Sequence, residues 1–285
     1  PFIRMAAGFG EASIKHDKER YEHKYEYCDL LITGSGPSGL ASAYAAAKNG
    51  ARVILAEDKP RFGGSLLTSD VNIGNQTGVE WTEKIIAELK SMPNVTVKNR
   101  SQVFGYYDHN MLVMSERISD HLPKTQKYLP KQRLWYIRAN EVLISSGSIE
   151  RPLVFGNNDT PGVMLSSAAK EYMKVYGVLV GKKPLIFTNN DSGYETAIEF
   201  KKNGVNPIIL DTRSNPSSDI ITEAKNLNIE IRFSYVVVAA KGYKKVKSAD
   251  IAKISDDKKE LFNIENIECD CICVSGFWTP SIHLA

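Results

Sequence analysis

The stretch Cys28-Asp-Leu-Leu-Ile-Thr-Gly34-Ser-Gly36-Pro-Ser38-Gly39-Leu-Ala constrains this chain more than any other. An apolar strand runs into a G-x-G-x-x-G turn and an Ala-rich helix, and a second apolar strand, Arg52-Val-Ile-Leu-Ala, ends on the carboxylate of Glu57. Each glycine has its own job in such a unit. Gly34 permits the tight turn, Gly36 lets a pyrophosphate approach bare backbone, and Gly39 lets helix and strand pack closely. The helix N-terminus supplies unpaired N–H groups and a partial positive charge for phosphates. Glu57 stands eighteen positions after Gly39, where a carboxylate accepts hydrogen bonds from an adenosine ribose. A bare glycine-rich βα turn would carry the glycines alone. Here strand, helix and acidic residue accompany them, and the unit reads as a dinucleotide site.

A chain of 285 residues holds one large or two ordinary domains. Apolar residues make up 42% and charged residues 24%, both near the globular average. The formal net charge is only +3 and the Lys and Arg residues are scattered, so no concentrated basic face points to nucleic acid. No run is long enough for a membrane-spanning helix and the first residues lack a signal-peptide pattern, so the expectation is a cytoplasmic protein with no membrane role. Of the four cysteines, Cys28 opens the first strand, while Cys269, Cys271 and Cys273 alternate and are expected to share one strand face. Metal ligation normally uses C-x-x-C spacing and a fourth ligand, so these read as small buried strand residues. The chain begins at Pro1 and stops at Leu284-Ala285 soon after an apolar strand, and reads as a piece of a longer polypeptide.

Residues 1–26 read as a polar lead-in rather than a domain. Strand 28–33, helix 37–48 and strand 52–57 make the βαβ unit, and Asn49-Gly50 suits a helix C-cap and turn. Pro60-Arg-Phe-Gly63-Gly64-Ser65 is a glycine loop, and apolar residues at 81, 85, 86 and 89 have helical spacing. Strand 95–97 precedes β-like segments at 102–107, 111–117, 133–138 and 141–146, which fit an antiparallel meander interrupting a parallel sheet. A second α/β pattern starts near Pro161, with helix 165–176, strand 184–188, helix 192–202 and strand 207–211, followed by β-like segments at 229–240 and 260–267 and the strand 269–274. Asp211 lies eighteen residues after Gly193, as Glu57 does after Gly39, but Thr188 and Asn190 then occupy the slots of Gly34 and Gly36. A side chain at the second slot blocks close approach by a pyrophosphate, so the second unit reads as a Rossmann half that has lost its phosphate loop. Ser146-Gly147 and Ser275-Gly276 each close an apolar strand; they are ordinary strand exits or two crossings between a first domain and a second inserted within it.

The layout resembles the two-dinucleotide-domain flavoproteins of the glutathione/thioredoxin reductase type. Closer motifs are similar to the α subunits of heterotetrameric sarcosine oxidases: Gly105-Tyr-Tyr-Asp-His109-Asn, Ser115-Glu-Arg-Ile-Ser-Asp-His121-Leu, Ser146-Gly-Ser-Ile-Glu150-Arg151-Pro152, Asn157-Asn-Asp159-Thr-Pro161-Gly162-Val-Met164-Leu, Phe187-Thr-Asn-Asn-Asp191 and Val274-Ser-Gly-Phe-Trp278-Thr-Pro280-Ser-Ile-His283-Leu284. The resemblance implies an α/β fold of two Rossmann-like domains, each a three-layer ββα unit of the FAD/NAD(P)-binding type, with residues 161–267 inserted between 27–160 and 268–285. It implies NAD in the slot where related reductases hold FAD, with FMN or FAD in a partner subunit. It also implies β, γ and δ partner subunits, and tetrahydrofolate in a C-terminal part that lies outside this sequence. Carried over by motif, cofactor contacts fall on Gly34, Gly36, Ser38 and Gly39, on Glu57, Asp58 and Lys59, on Ser65, on Val103 or Phe104 beside the adenine, and on Gly147 at the crossing.

No catalytic residue is expected within the chain. The position where disulfide reductases carry C-x-x-x-x-C reads Arg61-Phe-Gly-Gly-Ser65-Leu-Leu. None of the five histidines falls in an H-x-x-x-H or H-E-x-x-H pattern, so no metal site is expected, and no G-x-S-x-G elbow is present. Asp108-His109 reads as a solvated turn rather than a partner or cofactor contact, Glu150-Arg151-Pro152 as a brace for the crossing or a phosphate contact, and Trp278 as packing or a contact with the dinucleotide or a partner subunit. Two other classes stay open: a FAD-dependent reductase with NAD(P)H at the second fold, which Thr188 and Asn190 argue against, and a non-catalytic assembly domain, which the intact fingerprint argues against.

Overall fold

A computed structural model describes residues 2–8, 10, 14–124 and 128–285. After a short helix α1 (Phe2–Ala6), the first half contains β1 (Tyr21–Thr33), α2 (Pro37–Lys48), β2 (Val53–Ala56), a small hairpin of β3 (Asn72–Ile73) and β4 (Gln76–Thr77), α3 (Gly78–Ser91), β5 (Val95–Lys98), β6 (Ser101–Tyr107), β7 (Met111–Arg117) and β8 (Gln132–Ile144). Its six-stranded sheet has the order β5-β2-β1-β8-β7-β6. β5, β2, β1 and β8 run parallel, whereas β8, β7 and β6 are antiparallel neighbours.

Alternation along the buried strands divides the core. Ile32, Val53 and Leu55 face α2 and α3, where Leu40, Ala43, Ile85, Ile86 and Leu89 cover them. Leu31, Ile54 and Ala56 face the other way, onto Leu112, Met114, Trp135 and Ile137 of the meander. Helix α3 starts on a capping box, in which Thr77 and Glu80 satisfy each other's backbone N–H groups.

Two expectations for this half are corrected. Segments 133–138 and 141–146 are not two strands but the single β8, which pairs with β1 from Tyr21–Gln132 through to Thr33–Ile144. For the same reason β1 begins at Tyr21, so residues 21–26 are sheet and not lead-in. Their exposed, polar pattern hides a strand that exists because β8 runs beside it. Of the lead-in, residues 1, 9 and 11–13 lie outside the described residues.

The second half contains β9 (Ser148–Glu150), β10 (Val163–Leu165), α4 (Ser166–Tyr176), β11 (Pro184–Thr188), α5 (Ser192–Lys202), β12 (Ile208–Asp211), α6 (Asp219–Asn226), β13 (Glu230–Phe233), β14 (Tyr235–Lys241), β15 (Ser248–Ile254), β16 (Leu261–Glu268), β17 (Cys271–Ser275) and β18 (Trp278–Pro280). A five-stranded parallel sheet, β10-β17-β11-β12-β13, is covered on one face by α4, α5 and α6 and on the other by the antiparallel sheet β14-β15-β16. Each half is thus a helix layer, a parallel sheet and an antiparallel layer, the α/β architecture of two Rossmann-like units.

The strand ending in Ser275-Gly276 departs from the expected partition. The sequence layout places it with 268–285 in the first unit, yet β17 pairs with β11 from Pro184–Cys271 to Thr188–Ser275 and with β10, so it belongs to the second sheet. The chain crosses back only after Ser275, through an antiparallel ribbon of β18 on β9. Nor do the three thiols share a face: Cys271 and Cys273 point into the helix layer, and Cys269 into the opposite layer. Asp270 breaks the alternation by turning its carboxylate back onto the Lys182 and Lys183 N–H groups, at 2.7 and 2.8 Å.

Candidate functional site

β1 ends at Thr33 and α2 begins at Pro37, so three residues make the whole strand-to-helix turn. Gly34 has φ +98°, and a Cβ there would lie 2.4 Å from the Ser145 carbonyl oxygen. Gly39 packs the helix onto the strand; its Cβ would lie 2.0 Å from the Gly34 carbonyl oxygen. Gly36 is different. Its backbone is extended, with φ −66° and ψ −179°, and a Cβ would meet nothing within 4 Å. This is open backbone at the head of a helix that no side chain caps. Ser38 is exposed in the first turn of that helix.

A second glycine turn walls the first. Gly64 has φ +53°, and its Cβ would lie 2.9 Å from the Gly36 Cα, so the two turns meet backbone to backbone. The Gly63 N–H donates to the Ser35 carbonyl at 3.1 Å, and Ser65 is exposed beside this contact. The pair forms a cradle of small residues and bare N–H groups, the geometry that takes a pyrophosphate.

Glu57 follows β2 and is buried. Its Oε2 accepts the Ser35 N–H at 2.8 Å and the Ser35 hydroxyl at 2.5 Å, and its Oε1 accepts the Lys59 N–H at 3.0 Å. Burial, with the Asp58 carboxyl beside it, raises the Glu57 pKa above the ordinary glutamate value against the pull of those bonds. The Glu57 carbonyl accepts the Ser101 N–H at 2.7 Å, which brings the start of β6 to the same end of the sheet. Val103 packs half-buried onto the meander core, and Phe104 stands exposed at the irregularity between Val103 and Gly105.

On the other flank of β1, the Ser145 hydroxyl donates to the carbonyls of Thr33 and Gly34 at 2.9 and 3.0 Å. Gly147, at φ +71° and exposed, follows two residues later. Its carbonyl accepts the Ser281 N–H, while the Ser146 hydroxyl donates to the Ser281 carbonyl. Gly34, Gly36, Ser38, Gly39, Glu57 and Ser65 therefore gather at the carboxyl ends of β2 and β1, and Gly147 lies past the end of β8. Asp58 is exposed beside Glu57. Lys59 reaches the cluster only through its N–H, because its ammonium is tied to both Glu171 oxygens at 2.8 and 2.9 Å on α4. Ser35 and Ser145 were missed. Ser35 fills a variable position of the fingerprint, where only its contacts reveal a role.

The second turn repeats the scaffold with different contents. A Cβ on Gly193 would lie 2.7 Å from the Thr188 Cβ, as Gly39 crowds the Gly34 position. Asn190 fills the slot between: its Oδ1 accepts the Ser192 N–H at 2.9 Å and its Nδ2 donates to the Ser275 carbonyl at 3.1 Å. The Trp278 indole N–H bonds the Ser192 hydroxyl at 2.9 Å. Asp211, the counterpart of Glu57, is wholly buried and accepts from the Tyr194 hydroxyl at 2.7 Å and from Arg213, which also pairs with Asp191 at 2.9 Å. Burial and the Asp211 carboxylate push the Tyr194 phenol far above its ordinary pKa. Side chains of the fold thus occupy the groups that a phosphate and a ribose would use.

Other spots resolve simply. Glu150 is buried and accepts the Ser167 N–H at 2.7 Å, capping α4 from the crossing ribbon. Asp108 and His109 are exposed at the β6–β7 turn. All four cysteines are free and buried, and burial pushes the Cys28 and Cys269 thiols up to about 12. Among the described residues no group of three or more His, Cys, Asp or Glu could hold a metal ion, and no helix is long and apolar enough to cross a membrane.

Comparison with known proteins finds relatives on both measures, sequence and structure. Residues 29–115, which contain both glycine turns and Glu57, match the family model of FAD dependent oxidoreductases. The whole chain is 39% identical to sarcosine oxidase subunit alpha of Rhizobium meliloti (strain 1021), of which it spans 28%. It is 33% identical over 98% of its length to sarcosine oxidase subunit alpha of Corynebacterium sp. (strain P-1), spanning 29% of that protein. Thioredoxin reductase of T. acidophilum shares the fold, with a TM-score of 0.67 at 17% identity, over 90% of this chain and 80% of that one. The chain spans less than a third of the length of these sarcosine oxidase α subunits, and it is similar to them over 98–100% of its own length.

Proposed function

We propose that this chain is the dinucleotide-holding portion of a sarcosine oxidase-type complex and binds NAD in its first fold. One observation carries the reading. The open backbone at Gly36 faces the Gly63-Gly64 turn with Glu57 at the adenosine end, while the equivalent second turn is filled by Asn190. Gly34, Gly36, Ser38, Gly39 and Ser65 take the pyrophosphate in this reading, Glu57 and Asp58 the ribose, and Val103 and Phe104 flank the adenine, with Gly147 toward the distal half. Lys59 contributes its N–H through Glu57 rather than its charge. NAD supplies a hydride-accepting nicotinamide when bound. The residues of this chain hold and orient the dinucleotide, and burial keeps the Cys28 and Cys269 thiols protonated, so neither supplies a thiolate for electron transfer.

Homology extends the proposal to the whole assembly: oxidation of sarcosine to glycine at a flavin in a β subunit, with γ and δ subunits completing the complex and the methylene carbon passed to tetrahydrofolate. Four unpaired thiols accord with a reducing, cytoplasmic setting. A second reading, FAD in the first fold, is favoured by the match to FAD dependent oxidoreductases over residues 29–115. The absorbance spectrum of the purified chain, with mass spectrometry of nucleotide released on denaturation, separates the two. Released NAD without visible absorbance supports the proposal, and a flavin spectrum with released FAD overturns it in favour of the second. No nucleotide after reconstitution with either compound refutes both.

A further inference from the structure

We infer that Ser35 is the positioning residue that sets ribose selectivity at this site, acting through Glu57. The inference rests on the dinucleotide reading above, but not on whether NAD or FAD is the occupant, since both contain adenosine diphosphate. Ser35 is fully buried, at a variable position of the fingerprint. Four hydrogen bonds nevertheless converge on it. Its N–H and hydroxyl both donate to Glu57 Oε2, at 2.8 and 2.5 Å, and its carbonyl and hydroxyl oxygens accept the Gly63 N–H, at 3.1 and 3.3 Å.

A carboxylate offers about four acceptor positions. Three on Glu57 are filled from within the protein: two on Oε2 by Ser35, and one on Oε1 by the Lys59 N–H. The remaining position is on Oε1, and the Asp58 carboxyl is hydrogen-bonded to Glu57, so a ribose hydroxyl at that position replaces the Asp58 contact. A ribose hydroxyl donating there meets a carboxylate that cannot rotate, because Ser35 holds the opposite oxygen at two points. Removal of the Ser35 hydroxyl leaves Oε2 with a single bond, and the acceptor position offered to the ribose is then no longer confined to one oxygen. The Gly63 bonds give Ser35 a second consequence. The residue that aims the ribose acceptor also anchors the glycine turn that crowds Gly36, so the spacing of ribose and phosphate contacts is set from one point.

The test uses the purified chain stripped of bound nucleotide, titrated calorimetrically with ADP and with 2′-deoxy-ADP. The unaltered protein is expected to bind ADP about tenfold more tightly, the value of one hydrogen bond to a charged group. Ser35→Ala, which removes one oxygen and adds nothing, is expected to lower that ratio to about threefold or less. Glu57→Gln is expected to lower it too, and the double variant to lose no more selectivity than Glu57→Gln alone. A Ser35→Ala protein that binds both compounds more weakly by the same factor, keeping the ratio, has lost only structure and overturns the inference. Additive loss in the double variant overturns it as well, because Ser35 would then act independently of Glu57. An unaltered protein that binds neither compound refutes the dinucleotide reading itself; one that binds both equally refutes ribose selection and leaves the phosphate cradle intact.

Discussion

Gly36 and Gly39 stand three residues apart in one fingerprint, yet replacing each by alanine is expected to have opposite consequences. At Gly36 the backbone lies at φ −66° and ψ −179°, which any residue adopts, and a Cβ meets nothing within 4 Å. Gly36→Ala therefore introduces no clash, and by restricting the unfolded chain it is expected to stabilise the ligand-free protein by roughly 0.4–1 kcal/mol. At Gly39 the added Cβ would lie 2.0 Å from the Gly34 carbonyl oxygen and 2.8 Å from the Ser145 hydroxyl. Backbone cannot yield as a side chain does, so relief requires α2 to move off β1, at a cost of about 3 kcal/mol or more. Binding reverses the order of interest. On the proposed assignment the new methyl of Gly36→Ala obstructs the pyrophosphate, so affinity for NAD, or for FAD, is expected to fall by about a hundredfold or more, equivalent to some 2.7 kcal/mol. Thermal melting of both variants without nucleotide, together with calorimetric titration of Gly36→Ala, measures each term separately. A Gly36→Ala protein that melts as low as Gly39→Ala, or that binds dinucleotide like the unaltered chain, refutes the assignment of that open backbone to the phosphate.

Glu57 should give the site a pH dependence. Its raised pKa means that protonation begins at a higher pH than for an ordinary glutamate, so NAD affinity is expected to decline as pH falls through that raised value, whereas Glu57→Gln shows no such decline; parallel pH profiles for the two proteins would refute the role. Without ligand the sign is the usual one for a raised carboxyl: the protonated form favours the folded state, and that contribution is lost as pH rises through the folded pKa. Asn190→Gly is expected to leave one dinucleotide per chain, because Trp278 on Ser192 and Arg213 on Asp211 still occupy the second turn; a stoichiometry of two would refute the reading. Arg213→Met strands the buried Asp211 carboxylate and is expected to destabilise the chain by about 2–3 kcal/mol in thermal melting while leaving affinity at the first site unchanged. Finally, a thiol reagent at pH 8 should label none of the four cysteines in the native protein and all four in denaturant, since burial holds Cys28 and Cys269 at about 12 and all four thiols are enclosed; rapid native labelling would show that the strands open.

Much of this fold was legible where structure is local. Helices 37–48 and 192–202 and strands 111–117 and 184–188 coincide with α2, α5, β7 and β11, because glycine turns, caps and apolar runs mark both ends. Elements defined by distant partners were not legible. The first part of β1 is polar and exposed, and is strand only because β8 pairs with it; α6 and β15, with short and mixed patterns, were passed over altogether. Sheet membership shows the same limit. β17 reads as a strand from its sequence, but whether it lay in the first or second sheet depended on register with β10 and β11, which no local pattern encodes.

The candidate site divides along the same line. The sequence alone set the two turns apart, since one has bare backbone at Gly36 where the other carries the side chain of Asn190, and a side chain there obstructs close approach by a pyrophosphate. It also placed a carboxylate after each second strand. Only the tertiary structure decided what those carboxylates do. Asp211 is taken up by Arg213 and Tyr194, whereas Glu57 is held by Ser35 and Lys59 with the exposed Asp58 carboxyl beside it. It likewise turned the Lys59 ammonium away to Glu171. Hydrogen-bond capacity is fixed by residue type, but how it is divided is settled by neighbours that are far apart in the chain and close only once it has folded.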